Sequence, residues 1–365
     1  MPHLQELQRL LKPYFKLSSA RLECLCHMIL GLLLVNNVNL NKLAKSFCSQ
    51  TLTASSYKRM QRFLKELDFC FSWLWLLIQN CLDLKDNLHL ALDRTHWQFG
   101  KLNINILTLA VCYRGVAIPF FWMMLKKKGN SGWQERFEVL KRLLLIIPKE
   151  RIAAILGDRE FIGKEWLSAL LESGVTFVMR TRENICMANA KGLMLPAKTL
   201  FRGIKIGKSV VLPKKRKIMG CELYVVVTRL PTNELLILLT NKEPGLALDR
   251  YRLRWEIESL FSALKMRGFN FENTHLVHEE RISNLLFVMA IALLMGIRQG
   301  EFLEAEKPSK IKKHGYAAEA IFKRGLEYLG KLIATIYINV NALCQAVYRI
   351  LVPPSLTHTT MGGVL

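Results

Sequence analysis

Tyr251 to Lys265 reads YRLRWEIESLFSALK. At about 100° per helical residue, Arg254, Glu258 and Lys265 fall roughly 60°, 20° and 40° to one side of Tyr251. These four residues therefore share one narrow stripe. Leu253, Ile257, Leu260, Phe261 and Leu264 fall at about 180° to 280°, a second stripe suited to packing on a core. Glu256 points away from both, at about 140°, so Glu258 is the carboxylate that shares a face with the cations. Two readings stay open on this stretch alone. One is a solvated helix face with an ordinary Arg254–Glu258 pair at i,i+4. The other is a carboxylate, flanked by cations and a phenol, that holds a metal beside a phosphate chain.

The surrounding chain has 365 residues, enough for two or three domains, and 51% of them are hydrophobic. Its net charge of +23 favours a polyanionic partner. Nucleic acid is the first choice and an acidic membrane surface the second. The longest apolar run, Asn284 to Ile297, falls short of the ~20 residues that span a bilayer and reads as a buried helix. Met1 to Leu11 lacks the pattern of a secretory signal. The nine cysteines include no CxxC pair, which fits reduced, buried thiols and a cytoplasmic location. His275 and His278 read as a surface pair.

Organisation follows from the period of the apolar residues. Residues 1–85 read as helices. Ser55 or Ser56 would cap the helix that carries Lys58, Arg62 and Lys65 at i, i+4 and i+7. That cationic face suits either a helix-turn-helix reader of DNA or a plain basic surface helix. From residue 87 the period changes. NLHLALDRTHW, KLNINILTLAVCYRG and VAIPFFWMML read as three strands in a meander. Helix, strand, helix and strand follow up to residue 182, giving an α/β class with a mixed sheet. Residues 183–243 are strand-rich, with GIKIGKSVVL, ELYVVVTRL and ELLILLTN as examples and the basic cluster LPKKRK in a loop. Residues 244–300 carry the opening stretch. Residues 301–365 hold a basic linker, EKPSKIKKHG, and a further helical region.

Two more carboxylates stand out. Asp93 lies near the end of the first strand, in LALDRTHW, and Asp158 directly follows a buried-looking strand, in AAILGDREF. Strand ends are where α/β sheets place their chemistry. Asp93 could instead start a turn, and Asp158 could cap the next helix. Together with Glu258 they form a possible set of three hard oxygen donors for Mg²⁺ or Mn²⁺.

These motifs, in this order, resemble bacterial transposases of the insertion-sequence-four family. YRLRWEIESLFSALK matches the Y-x2-R-x3-E-x6-K signature without a gap. GDREF resembles the second-acid motif and LALDRTHW the first. The resemblance covers about residues 90 to 270. It implies an RNase H-like catalytic core at 86–182 and 244–300, with acids Asp93, Asp158 and Glu258 and two divalent ions. It implies a β-rich inserted domain at 183–243, and helical regions at 1–85, for DNA binding, and at 301–365, for dimerisation. Tyr251, Arg254 and Lys265 would contact phosphates of transposon ends. The partners implied are transposon-end and target DNA, bound by a homodimer in a synaptic complex, with no membrane. Two other readings compete with cut-and-paste transposition: a silent DNA-binding relative, and a structure-specific nuclease with the same fold.

Overall fold

The computed structural model describes residues 1–47, 52–82, 84, 87–189, 191–310 and 319–353. The chain folds as two units. A helical unit takes 1–85, 96–104 and 259–365, and a sheet unit takes 86–95 and 105–258.

The helical unit begins with α1 (Pro2–Leu11), α2 (Ser19–Val35), α3 (Leu40–Lys45), α4 (Thr53–Glu66) and α5 (Phe71–Leu82). Asn39 caps α3, accepting the backbone N–H groups of Asn41 and Lys42. Helix α4 starts earlier than its serines suggest. Ser55 and Ser56 lie inside its first turn, their N–H groups bonded to the Leu52 carbonyl. Ser56 is buried, so it packs where the sequence pointed to a cap.

The sheet unit is built on a nine-stranded sheet. Strands β1 (Leu88–Phe99), β2 (Leu102–Tyr113) and β3 (Val116–Met124) form the expected meander. The turn from β2 to β3 uses Arg114 and Gly115, both at positive φ, as a tight hairpin requires. Next come α6 (Trp133–Ile146), β4 (Ile152–Gly157), α7 (Lys164–Ser173) and β5 (Phe177–Thr181). The segment beyond holds β6 (Cys186–Ala188), β7 (Met194–Pro196), α8 (Ala197–Leu200), β8 (Ser209–Val211), β9 (Arg216–Ile218), β10 (Cys221–Arg229) and β11 (Leu235–Thr240). The sheet order is β3-β2-β1-β4-β5-β11-β10-β8, with β9 also paired to β10. β4 runs parallel to β1 and β5, whereas β11 is antiparallel to β5 and β10.

In this order the segment expected as an inserted domain pairs with the main sheet. Every residue of β11 is buried, so it behaves as an inner strand and docks on β5. β10 joins it through the Pro-Thr-Asn hairpin, and 183–243 thus extends the main sheet. Among the described residues, β6 and β7 form a separate two-stranded sheet. GIKI lies outside the strands; regular pairing on that side begins with β8.

The opening stretch is also not one unbroken helix. It divides into α9 (Ala247–Leu253) and α10 (Trp255–Leu264), with Arg254 at the junction. There the N–H of Arg254 bonds to the Tyr251 carbonyl and that of Ile257 to the Arg254 carbonyl. These tighter i to i−3 bonds break the even 100° progression. Ile257, Leu260 and Leu264 are buried as expected, while Leu253 and Phe261 are half-buried.

The chain then returns to the helical unit through α11 (Glu279–Glu306), α12 (Ile321–Ala334) and α13 (Ile336–Leu351). α11 is long and apolar enough to cross a membrane, but 83% of its most apolar window is buried within the protein. It is the core of the helical unit, so the expected boundary at residue 300 cuts through one helix. Gly296 and Gly300 of α11 meet Gly325 and Ile321 of α12 at backbone contact, where a Cβ would not fit. The basic linker is described only to Lys310; the rest of it lies outside the described residues.

Candidate active site

Parallel pairing of β1 with β4 runs from Leu88 opposite Ile152 to Leu92 opposite Gly157. Asp93 and Asp158 are the residues directly after the last pair. Two carboxylates therefore emerge side by side where adjacent parallel strands lose their pairing. Asp93 is not at a strand end, because β1 continues to Phe99 and forms the long hairpin with β2. The sequence marks the position by its acid and misses the continuation. Asp158 does not cap α7, which starts only at Lys164. It opens a tight turn, its Oδ1 accepting the N–H of Glu160 at 2.7 Å and its carbonyl the N–H of Phe161 at 3.0 Å.

Glu258 reaches this pair through Arg254. The Arg254 guanidinium donates to Asp93 Oδ2 at 3.2 Å and to Glu258 Oε1 at 2.8 Å. Arg254 is only 5% exposed, and it covers the Tyr251 ring and the Trp255 ring at 5.6 and 5.2 Å. Burial alone would weaken its hold on the proton, but Tyr251, Glu258 and Asp93 outweigh that and keep its pKa above the usual value. Glu256 does not join this cluster. It accepts the N–H of Gly115 at 2.9 Å, and burial raises its pKa.

Asp93 is the most perturbed carboxyl of the cluster. Burial pushes its pKa to about 7; the N–H of Arg94 and the charge of Arg254 pull downward, while Asp158 and Glu160 push further up. A site with this excess of negative charge in a poorly solvated place suits a cation. Three carboxylates are the hard donors that Mg²⁺ or Mn²⁺ prefer. The donor chemistry thus fits a divalent ion. Among the described residues no three donors already converge on one point. The guanidinium of Arg254 stands between Asp93 and Glu258 and sets their separation.

Sequence reading passed over the residues that hold the two aspartates in register. Arg94, next to Asp93, pairs with Glu160, two residues after Asp158, through two contacts of 3.3 Å. It also donates to Asn105 and Asn130. Arg136 of α6 is buried; it grips Ser131 and donates to the Glu160 carbonyl at 2.9 Å. Its guanidinium lies over the Phe161 ring at 5.1 Å. The available signal was an Arg beside the first acid and a Glu beside the second.

The remaining expected residues are placed differently. Tyr251 is 4% exposed and packs with Ala154, Leu156, Val178, Val226, Leu236 and Leu238 in the core of the sheet unit. Its ring lies against the Arg254 guanidinium. Lys265 belongs to the helical unit. There it donates to the His96 carbonyl at 3.1 Å, pairs with Glu272 at 2.9 Å and lies over the Trp97 ring. Lys58, Arg62 and Lys65 lie along α4 with no ion-pair partner among the described residues. Their neighbour Arg59 is tied to Glu23.

Comparisons with known proteins bear on this cluster. No curated protein matches the chain. Among solved structures it is similar to one described as a cryo-EM structure of the piggyBac transposase synaptic complex with hairpin DNA. That likeness has 12% identity and a TM-score of 0.40, and covers 96% of this chain and 82% of that one. The pattern of a family described as the transposase DDE domain matches residues 86–295. Since that match spans more than half of the chain, from before Asp93 to beyond Glu258, the protein belongs to the transposase DDE domain family.

Proposed function

We propose that this protein is a cut-and-paste DNA transposase of the insertion-sequence-four type. It cleaves strands at terminal inverted repeats and transfers them into target DNA. One observation carries the reading: Asp93 and Asp158 directly follow the last paired residues of adjacent parallel strands, and Arg254 links Glu258 to Asp93. The order β3-β2-β1-β4-β5 supports an RNase H-like core, extended here by β11 and β10.

In this mechanism Asp93, Asp158 and Glu258 would hold Mg²⁺ or Mn²⁺. When bound, a pair of such ions would supply Lewis acidity for displacement at phosphorus. The protein's own residues do the remaining work. Arg94 and Glu160 fix the spacing of the two aspartates. Arg254, held between Asp93 and Glu258, would place its positive charge beside a phosphate next to the scissile bond. Tyr251 holds Arg254 from beneath. Lys58, Arg62 and Lys65 provide a cationic helix face for the DNA backbone, and Lys265 a further contact. A homodimer would bring two ends together.

The test is strand cleavage of DNA carrying the flanking repeats, with Mg²⁺ or with EDTA. Asp93→Ala, Asp158→Ala and Glu258→Ala each abolish cutting and leave end binding largely intact. Cleavage that survives one of these changes removes that residue from the site. Tight binding by the unaltered protein without metal-dependent cutting points instead to a silent DNA-binding relative. Cutting of branched DNA without the repeats points to a structure-specific nuclease.

A further inference from the structure

Two residues before Glu258 lies a carboxylate that the proposed chemistry does not use. Glu256 Oε1 accepts the N–H of Gly115 at 2.9 Å. Gly115 sits in the turn between β2 and β3 at a φ of +90°. Its N–H lies outside the strand ladder, whose last pair is Tyr113 with Val116. The N–H of Tyr113, the last residue of β2, also favours the charged form of Glu256. A second bond ties the same stretch to β2. The Cys112 thiol donates to the Leu253 carbonyl at 3.4 Å. Cys112 and Leu253 also pack against the core cluster that holds Tyr251.

Arg254 lies between these two anchors, with Leu253 hooked to β2 before it and Glu256 hooked to the turn after it. It stands where α9 breaks from α10, and from there it reaches Asp93 and Glu258 at 3.2 and 2.8 Å. A break relaxes the helical constraint on the residue at the junction, so contacts from outside must set its direction. Stability does not account for Glu256. Its Oε2 is buried with no hydrogen-bond partner among the described residues, and burial disfavours its charge. A buried carboxylate oxygen without a hydrogen bond costs stability, and an apolar side chain of similar size avoids that cost. What the carboxylate provides is direction, because its bond to the turn determines where α10 begins.

We infer that Glu256 is a positioning residue: by fastening the start of α10 to the β2–β3 turn, it fixes Arg254 and Glu258 relative to Asp93. It touches neither metal nor substrate and acts through those two side chains. The inference rests on the transposase reading, in which Asp93 and Glu258 share a metal site and Arg254 stands between them.

The test titrates the full-length protein with Mn²⁺ and follows the free ion by electron paramagnetic resonance. Asp93→Ala identifies the Mn²⁺ binding that belongs to the cluster. Glu256→Ala weakens that binding about tenfold or more, the usual cost of removing a group that orients a ligand. Glu256→Gln, which keeps a carbonyl oxygen for the Gly115 N–H, rescues it. On DNA carrying the flanking repeats, Glu256→Ala lowers the cleavage rate at saturating DNA by about 100-fold, as a displacement near 1 Å does, and changes DNA affinity by less than about twofold. A merely structural carboxylate gives another pattern: earlier unfolding in urea, with Mn²⁺ affinity and cleavage of the folded protein unchanged. That pattern overturns the inference. A glutamine variant that behaves as the alanine variant also overturns it, since charge and not the bond to the turn would then matter. If the unaltered protein binds Mn²⁺ at the cluster but does not cut, the transposase reading fails, and the Mn²⁺ comparison still decides the role of Glu256. If Asp93→Ala leaves Mn²⁺ binding unchanged, both fail.

Discussion

Asp93 shows how one residue can oppose the fold that holds it. Its carboxyl has a pKa of about 7 in the folded chain against an ordinary value of 3.8. Between those values the folded state binds more protons than the unfolded one, so stability falls as pH rises through this window. Asp93→Asn removes that decline. Its melting temperature without divalent ions should match the wild type near the low end of the window and exceed it increasingly up to about pH 7. A constant difference at every pH would show that Asp93 is not held against its charge. The Arg94–Glu160 pair sits nearby, with side chains 11% and 17% exposed. A double-mutant cycle to alanine should give a coupling of about 1–3 kcal/mol in denaturant unfolding. A coupling near zero would reduce the pair to an incidental contact.

At the scale of elements, the end of β4 decides where Asp158 points. Gly157 is the last residue of that strand. A Cβ there would meet the Met179 sulfur at 2.5 Å and Phe161 side-chain atoms at 3.2 Å and beyond. The turn that carries Asp158 folds back tightly enough to require glycine. Gly157→Ala should destabilise the protein by about 1–3 kcal/mol in urea unfolding, as overpacking does. Combining it with Met179→Ala frees the space beside the new methyl, so the double variant should be destabilised by less than the sum of the two single changes. Strict additivity would mean that the sulfur is not the constraint. Arg254 is a second such junction, where the break between α9 and α10 lets one guanidinium face two carboxylates.

For the whole molecule, charge is the dominant fact. A net charge of +23 is carried by a chain whose core helices and sheet are strongly apolar, so the cations gather on the surface. From Asn184 to Cys221 there is no Asp or Glu, and the span includes the exposed Lys214, Lys215 and Lys217. On α4, Lys58 and Arg62 have no ion-pair partner among the described residues, while Arg59 is held by Glu23. Lys58→Ala with Arg62→Ala should weaken duplex binding and lower the salt slope by about 1.8, at ~0.9 for each phosphate that is no longer neutralised. An unchanged slope would exclude α4 as a DNA-contacting face.

Local elements and candidate acids were legible in the order of the residues. Apolar periodicity marked the meander, β4, β5, α7 and the buried run of α11, because each shows its own face within a few residues. The order of Asp93, Asp158 and the Tyr251–Lys265 stretch carried the family resemblance for the same reason, since motif and spacing are local. Whatever crosses long separations was settled only by the three-dimensional packing. That packing placed β10 and β11 in the main sheet, because pairing with β5 depends on two strands more than fifty residues apart. It buried Tyr251 beneath Arg254 and turned Lys265 to Glu272. It also joined Arg94 to Glu160. A helical wheel assigns each side chain an angle, but whether that angle meets solvent, a core or an opposite charge depends on what packs against it.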